Sequence, residues 1–253
     1  VISQFARDLT ALRDRRGVLF GLGGVALLAG AVGKADKGPA KCLLTPAETR
    51  GPFPADAARG PNALAFAGIN RSDIRSSFAG MAGTAGGVPL DLEISLIGAA
   101  GACAPLPGWG VYLWHNDARG DYSLYSLPNA NYLRGLQQSD AKGVVRFKTI
   151  LPGCYGGRAP HMHFEVFSSA AAAVTGEPAL LASQFALPEA PCRAVYARDP
   201  RYGDSLGNLN EWPTARDFVF RDASPEELAL ESIALEGDAE KALRGTARIS
   251  VNS

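Results

Sequence analysis

The stretch Pro152 to Val166, PGCYGGRAPHMHFEV, brings a tyrosine, an arginine and two of the chain's three histidines together. His161 and His163 are two residues apart, and in a strand side chains at that spacing leave the same face. Met162, Phe164 and Val166 form the alternate apolar set, opposite His161, His163 and Glu165. The alternation predicts a strand that presents two imidazoles side by side. Alone, such a pair describes the solvent face of a half-buried strand. Tyr155 changes that, because Leu151-Pro152-Gly153-Cys154 is a turn-like entry and Gly156-Gly157 let the chain fold back toward the histidines. Phenolate and imidazole side chains gathered this way point to a metal site. A second tyrosine, Tyr122, lies in WHNDARGDYSLYS, just after the apolar-alternating stretch Trp109 to Trp114.

Working outward, the same period of two recurs. Leu90, Leu92, Ile94 and Leu96 alternate with Asp91, Glu93 and Ser95, and Val145, Phe147 and Thr149 alternate behind Lys142-Gly143. Glu231 to Leu235 and Thr246 to Val251 are read as strands around a charged turn region, Gly237-Asp238-Ala239-Glu240. Gly-rich and Pro-rich turns separate these runs, which predicts an all-β fold, an antiparallel β-sandwich. Helices are expected only as short pieces near Ala170 and Pro225-Glu226-Glu227.

Lys plus Arg and Asp plus Glu each number 25, so the formal net charge is zero. With no basic stripe and no phosphate-cradling Gly-rich loop, nucleic acid and nucleotide partners are not expected. Near the start, Asp14-Arg15-Arg16-Gly17-Val18-Leu19-Phe20 leads into an apolar run to about Val32, with Ala31 and Gly33 as small residues at a cleavage point. A twin arginine before a modest hydrophobic stretch reads as a Tat export signal, and the run is too short and Gly-rich for a stable membrane span. The organisation expected is a signal over 1–33, a linker over 34–41 and one catalytic domain over 42–253, exported to the periplasm or the exterior of a bacterium. Four cysteines, Cys42, Cys103, Cys154 and Cys192, then permit up to two disulfides in three connectivities. A bridge from Cys154 would pin the turn that carries Tyr155.

Further motifs fall in order along the chain: Cys42-Leu43-Leu44-Thr45-Pro46, Gly51-Pro52-Phe53, Val111-Tyr112-Leu113-Trp114-His115, Gly120-Asp121-Tyr122-Ser123, Tyr132-Leu133-Arg134-Gly135, Ser139-Asp140-Ala141-Lys142-Gly143, and the block from Arg158 to His163. From about Cys42 to Phe185 this set resembles the intradiol ring-cleavage dioxygenases, non-haem iron(III) enzymes that open catechols between their two hydroxyls. The chain is most similar to the exported single-domain members or to a protocatechuate-type catalytic core.

The resemblance implies that Tyr122, Tyr155, His161 and His163 hold Fe(3+), with Arg158 and Gln184 beside the substrate. Iron(II) oxygenases typically use two histidines and a carboxylate. Two phenolates are harder anions that favour iron(III), and with one hydroxide they balance its charge in a buried site. A free tyrosine ionises near pH 10 or so, so the metal must supply the deprotonation. The implied substrates are an aromatic diol and O2, with a muconate-type diacid as product. Tyr155, the axial ligand by resemblance, and Arg158 are the catalytic side chains. His115 matches a position that is not a ligand and is read as a structural hydrogen-bonding residue. Tyr112, Tyr125 and Tyr132 are read as core or wall, with Tyr125 the substitute should Tyr122 fail. Phe53-Pro54 and Cys154 depart from residues common in the family and leave the particular catechol open. Two other classes stand against this reading: a non-catalytic β-sandwich binding module, and a hydrolase built on Ser123 and His115, for which no G-x-S-x-G elbow is present.

Overall fold

A computed structural model describes residues 42–56, 60–100 and 102–253. The signal and linker expected over 1–41 lie outside them. Among the described residues nine strands form: β1 (Pro89–Gly98), β2 (Ala104–Pro105), β3 (Gly110–Trp114), β4 (Arg134–Gln138), β5 (Val144–Ile150), β6 (His161–Phe167), β7 (Leu181–Ala186), β8 (Ala234–Asp238) and β9 (Ala242–Val251). Four short α-helices accompany them among the same residues: α1 (Ala170–Thr175), α2 (Glu189–Tyr196), α3 (Ser205–Glu211) and α4 (Pro225–Leu230).

The strands form two sheets. One runs β2-β1-β9-β8 with β5 also paired to β1, and the other runs β4-β3-β6-β7. The sandwich is therefore as expected, with one exception to its antiparallel character: β1 and β9 pair in parallel, Leu90 opposite Leu243 through to Gly98 opposite Val251. The alternation in β9 marks it as a strand but does not encode its neighbour.

The core between the sheets takes the apolar alternates of each strand. Leu90, Leu92, Ile94, Leu96, Val145 and Phe147 face Val111, Leu113, Met162, Phe164 and Val166, all buried. Each such side chain contributes roughly 1.5–3 kcal/mol on burial. A second apolar cluster lies on the other face of the β4-β3-β6-β7 sheet. There Tyr112, Trp114 and Tyr122 pack with Phe53, Leu64 and Ile69 from the entry segment, the chain ahead of β1, and with the alanines of α1. This second layer is why all seven residues of β6 are buried, so its histidine face does not meet solvent.

Three details differ from expectation. Helices α2 and α3 were not legible, since Pro191 and Gly207 interrupt their helical patterns. The penultimate strand begins at Ala234 rather than Glu231, and Gly237-Asp238 belongs to it, because α4 and its cap continue to Glu231. Cys42 pairs with Cys103, whereas Cys154 and Cys192 are buried free thiols, so no bridge pins the Tyr155 turn. The Cys154 thiol instead donates to the Arg158 carbonyl at 3.3 Å.

Candidate active site

His161 and His163 stand on the second-layer face of β6, with Trp114 of β3 and Gln184 of β7 directly beside His163. Tyr155 arrives from the turn before β6, where Gly157 takes a φ of +93° and Arg158 N–H closes back on the Tyr155 carbonyl. Tyr122 arrives from the loop after β3. That loop is tied down by Arg134, which donates to the Ser123 carbonyl at 2.9 Å and the Ser123 hydroxyl at 3.1 Å.

Three donor atoms gather around a fourth, His161 Nε2. The Nε2 of His161 lies 3.5 Å from Tyr122 Oη, 3.3 Å from Tyr155 Oη and 3.2 Å from His163 Nε2. Ligands each about 2 Å from a common ion at tetrahedral angles lie about 3.3 Å from one another, so the spacing of these donors around His161 Nε2 fits one metal ion. The two imidazoles are suited to it. His161 Nδ1 lies 2.7 Å from the Ala159 carbonyl, so the proton sits on Nδ1 and the lone pair on Nε2 faces the site. The ring of His163 stacks on Trp114 at 5.1 Å and 6°, which sets its plane, while its buried Nδ1 has no hydrogen-bond partner among the described residues. Burial, reinforced by the charge of Arg158, holds His161 well below the usual imidazole range; burial and the neighbouring His161 do the same for His163. Both rings are thus neutral at ordinary pH, the form in which imidazole can bind a metal. Among the described residues no group of three or more His, Cys, Asp or Glu is placed to hold a metal, so a centre here depends on the two phenols.

Arg158 is fully buried beside the donors. Its Nη1 lies 3.2 Å from His161 Nε2, and its Nη2 donates to Gln184 Oε1 at 2.7 Å. Its Nε donates to Asp217 Oδ2 at 2.8 Å, and its guanidinium sits 4.7 Å over the Phe218 ring. Gln184 in turn donates to the Thr49 carbonyl at 2.8 Å, which draws the entry segment over the site. Phe53 from that segment packs on Tyr122 at 4.7 Å and on Tyr125 at 5.0 Å. Glu165, the third polar residue of the β6 face, lies 2.6 Å from Arg50 Nε, and burial pushes its carboxyl up to about 7.

The other sequence candidates sit where expected. His115 contacts the Asn116 carbonyl and the Thr149 hydroxyl, each at 2.7 Å, so both ring nitrogens are engaged away from the donors. The Ser123 hydroxyl donates to the Tyr132 carbonyl, so Ser123 and His115, weighed as a nucleophile and base, are each engaged with other groups. Tyr112 donates to the Pro54 carbonyl, Tyr132 to Asp117, and Tyr125 accepts from the Ala55 amide. Asp217 was missed. It is a single acid in a short aromatic run, and only its fully buried ion pair with Arg158 reveals it.

No protein-family model matches the chain, and no curated protein matches it either. Solved structures do. An intradiol ring-cleavage dioxygenase from Tetranychus urticae superposes with a TM-score of 0.60 at 22% identity, covering 83% of this chain and 95% of that one. The chain has the intradiol dioxygenase fold. The same fold is shared with the dioxygenase domain of a dioxygenase–carbohydrate-binding fusion from the cellulolytic bacterium Streptomyces sp. SirexAA-E, at a TM-score of 0.50 and 21% identity over 83% of this chain and 98% of that one. A 3-chlorocatechol 1,2-dioxygenase from Rhodococcus opacus gives 0.52 at 14% identity, over 83% of this chain and 73% of that one. Within the intradiol dioxygenase fold of this chain, the two tyrosines and two histidines occupy the buried face of β6 and the two loops that close over it.

Proposed function

We propose that the protein is a non-haem iron(III) intradiol dioxygenase that cleaves a catechol-type ring between its two hydroxyls and releases a muconate-type diacid. The observation that carries this is the convergence of Tyr122 Oη, Tyr155 Oη and His163 Nε2 on His161 Nε2, within 3.2–3.5 Å. Those four atoms would hold the iron, which when bound activates the diol toward dioxygen. The chain's own residues do the rest. Tyr155 Oη would take up a hydroxyl proton of the incoming diol, as a phenolate is basic enough to do. The fixed charge of Arg158, in a site closed to water, stabilises negative charge that develops on the ring, an effect worth several kcal/mol in dry sites. Gln184 keeps the Arg158 fork in place, and Phe53 supplies an aromatic wall against which a planar ring can lie.

Export is part of the proposal. The twin-arginine segment supports it, and so does the Cys42–Cys103 bridge, a bond that persists in oxidising compartments. A Tat route would carry the domain across already folded.

The test is colour followed by oxygen uptake. Protein purified after growth with ample iron should be red to burgundy from tyrosinate-to-iron(III) charge transfer, and should consume O2 with catechol to give the diacid. Tyr155→Phe and His161→Ala should each weaken or abolish the visible band. A colourless protein, inert toward a panel of catechols under air, would overturn the reaction, and a band unchanged in either variant would overturn that residue's assignment.

A further inference from the structure

Arg158 and Ala159 belong to a Gly-rich turn that has little regular structure to hold it, yet both carry the geometry of the site. What fixes them comes from far along the chain. Asp217 is fully buried, and its Oδ1 accepts from the Val219 amide at 2.9 Å, which orients the carboxylate from its own segment. That leaves Oδ2 toward the turn, where it accepts from Arg158 Nε at 2.8 Å and from the Ala159 amide at 2.7 Å. Ala159 then offers its carbonyl to His161 Nδ1 at 2.7 Å. One oxygen thereby grips a side chain and a backbone amide, and each leads by a single further contact to His161.

We propose that Asp217 is a positioning residue of this site: its carboxylate fixes the Arg158 guanidinium beside the reacting ring and, through Ala159, the ring of His161. The proposal rests on the function proposed above. The physical reason is twofold. A buried guanidinium needs an opposite charge, and Asp217 supplies one through Nε, so that Nη2 reaches Gln184 while Nη1 stands beside the four donors. A metal-bound histidine also needs its second nitrogen held, because that contact sets the ring's tautomer and plane. Asp217 serves both needs from outside the block of motifs that contains the donors.

The experiment compares wild type, Asp217→Asn, Asp217→Glu, Arg158→Gln and the double variant Arg158→Gln/Asp217→Asn, as full chains. Three quantities are read: iron affinity by titration into the metal-free protein, the visible band, and kcat with KM for catechol. Asp217→Asn keeps the shape and removes the charge. It should weaken iron binding and lower kcat by about tenfold or more, in the range typical for groups behind metal ligands, with KM changed far less. Asp217→Glu should recover part of the kcat. In the Arg158→Gln background, Asp217→Asn should cost little further kcat but still weaken iron binding, since the two branches separate at Asp217.

If Asp217→Asn matches wild type in iron affinity, band and kcat while wild type is coloured and active, the positioning role is refuted and the dioxygenase function stands. Losses in kcat that simply multiply in the double variant would also refute it, by showing that Asp217 does not act through Arg158. A wild type that is colourless and inert overturns both proposals together.

Discussion

Gly120 offers a measurement in which a single added methyl tests the seat of Tyr155. It lies at φ +91°, and a Cβ built there falls 2.9 Å from the Cβ of Tyr155, an atom tied directly to the backbone. Gly120→Ala therefore carries two costs. The left-handed conformation penalises an L residue by about 1–2 kcal/mol. Crowding a packed neighbour that cannot swing aside adds about 1–3 kcal/mol. Gly108 separates the two, because it has a φ of +83° with nothing within 4 Å of its Cβ. Gly108→Ala should lose only the first cost, and Gly120→Ala about 2–5 kcal/mol in all. For a domain of this size that is about 2–4 °C of melting temperature per kcal/mol, well within what urea or thermal denaturation resolves. The crowded atom is the root of a long side chain, so a small shift there is magnified at Oη. Iron-loaded Gly120→Ala should accordingly show a weakened or displaced visible band, and Gly108→Ala the wild-type band. Equal stability losses in the two variants, with both bands unchanged, would refute the packing of Tyr155 on Gly120.

Two further predictions concern stability. Burial lowers His115 to about 4 from 6.5, against a weaker opposing effect of the Asn116 carbonyl. The unfolded chain then takes up that proton first as pH falls, so stability present above 6.5 declines down to about 4, by no more than about 3 kcal/mol from this residue. His115→Gln should flatten that decline in urea midpoints measured across the same range, and parallel curves for the two proteins would count against it. The Cys42–Cys103 bridge closes a loop with a sequence separation of 61, which the chain-entropy account values at about 4 kcal/mol. Cys42→Ser/Cys103→Ser should lose stability of that order under non-reducing conditions while wild type treated with reductant converges on it, and a loss below about 1 kcal/mol would show that the bridge constrains little.

Much of the site was legible because its signals are local. The alternation through His161, His163 and Glu165 fixed a strand and a shared face, and Gly156-Gly157 made the return of Tyr155 readable. Burial of that face was not legible from β6 itself. It comes from the Phe53 segment and α1, which lie far away in sequence and reveal their destination only on folding. Asp217 was hidden for the same reason: nothing in Asp217-Phe218-Val219-Phe220 states that the acid turns inward to Arg158. Helices α2 and α3 owe their form to packing rather than propensity, with Cys192, Val195, Tyr196 and Leu209 buried against the sandwich. Strand β9 was recognisable by its pattern, but its parallel seat against β1 was not, since alternation encodes faces and not neighbours.

That parallel seat governs the order in which the molecule can be assembled. β9 lies between β1 and β8, so Leu90 waits for Leu243 before its side of the sheet is complete. During synthesis, β1 emerges early and keeps an open hydrogen-bonding edge until Ala242 to Val251 arrives, a hazard for pairing with other chains. Closing contacts so distant in sequence is also slow. The histidine strand β6 is therefore complete in a growing chain well before β9 arrives to finish the opposite sheet of the sandwich.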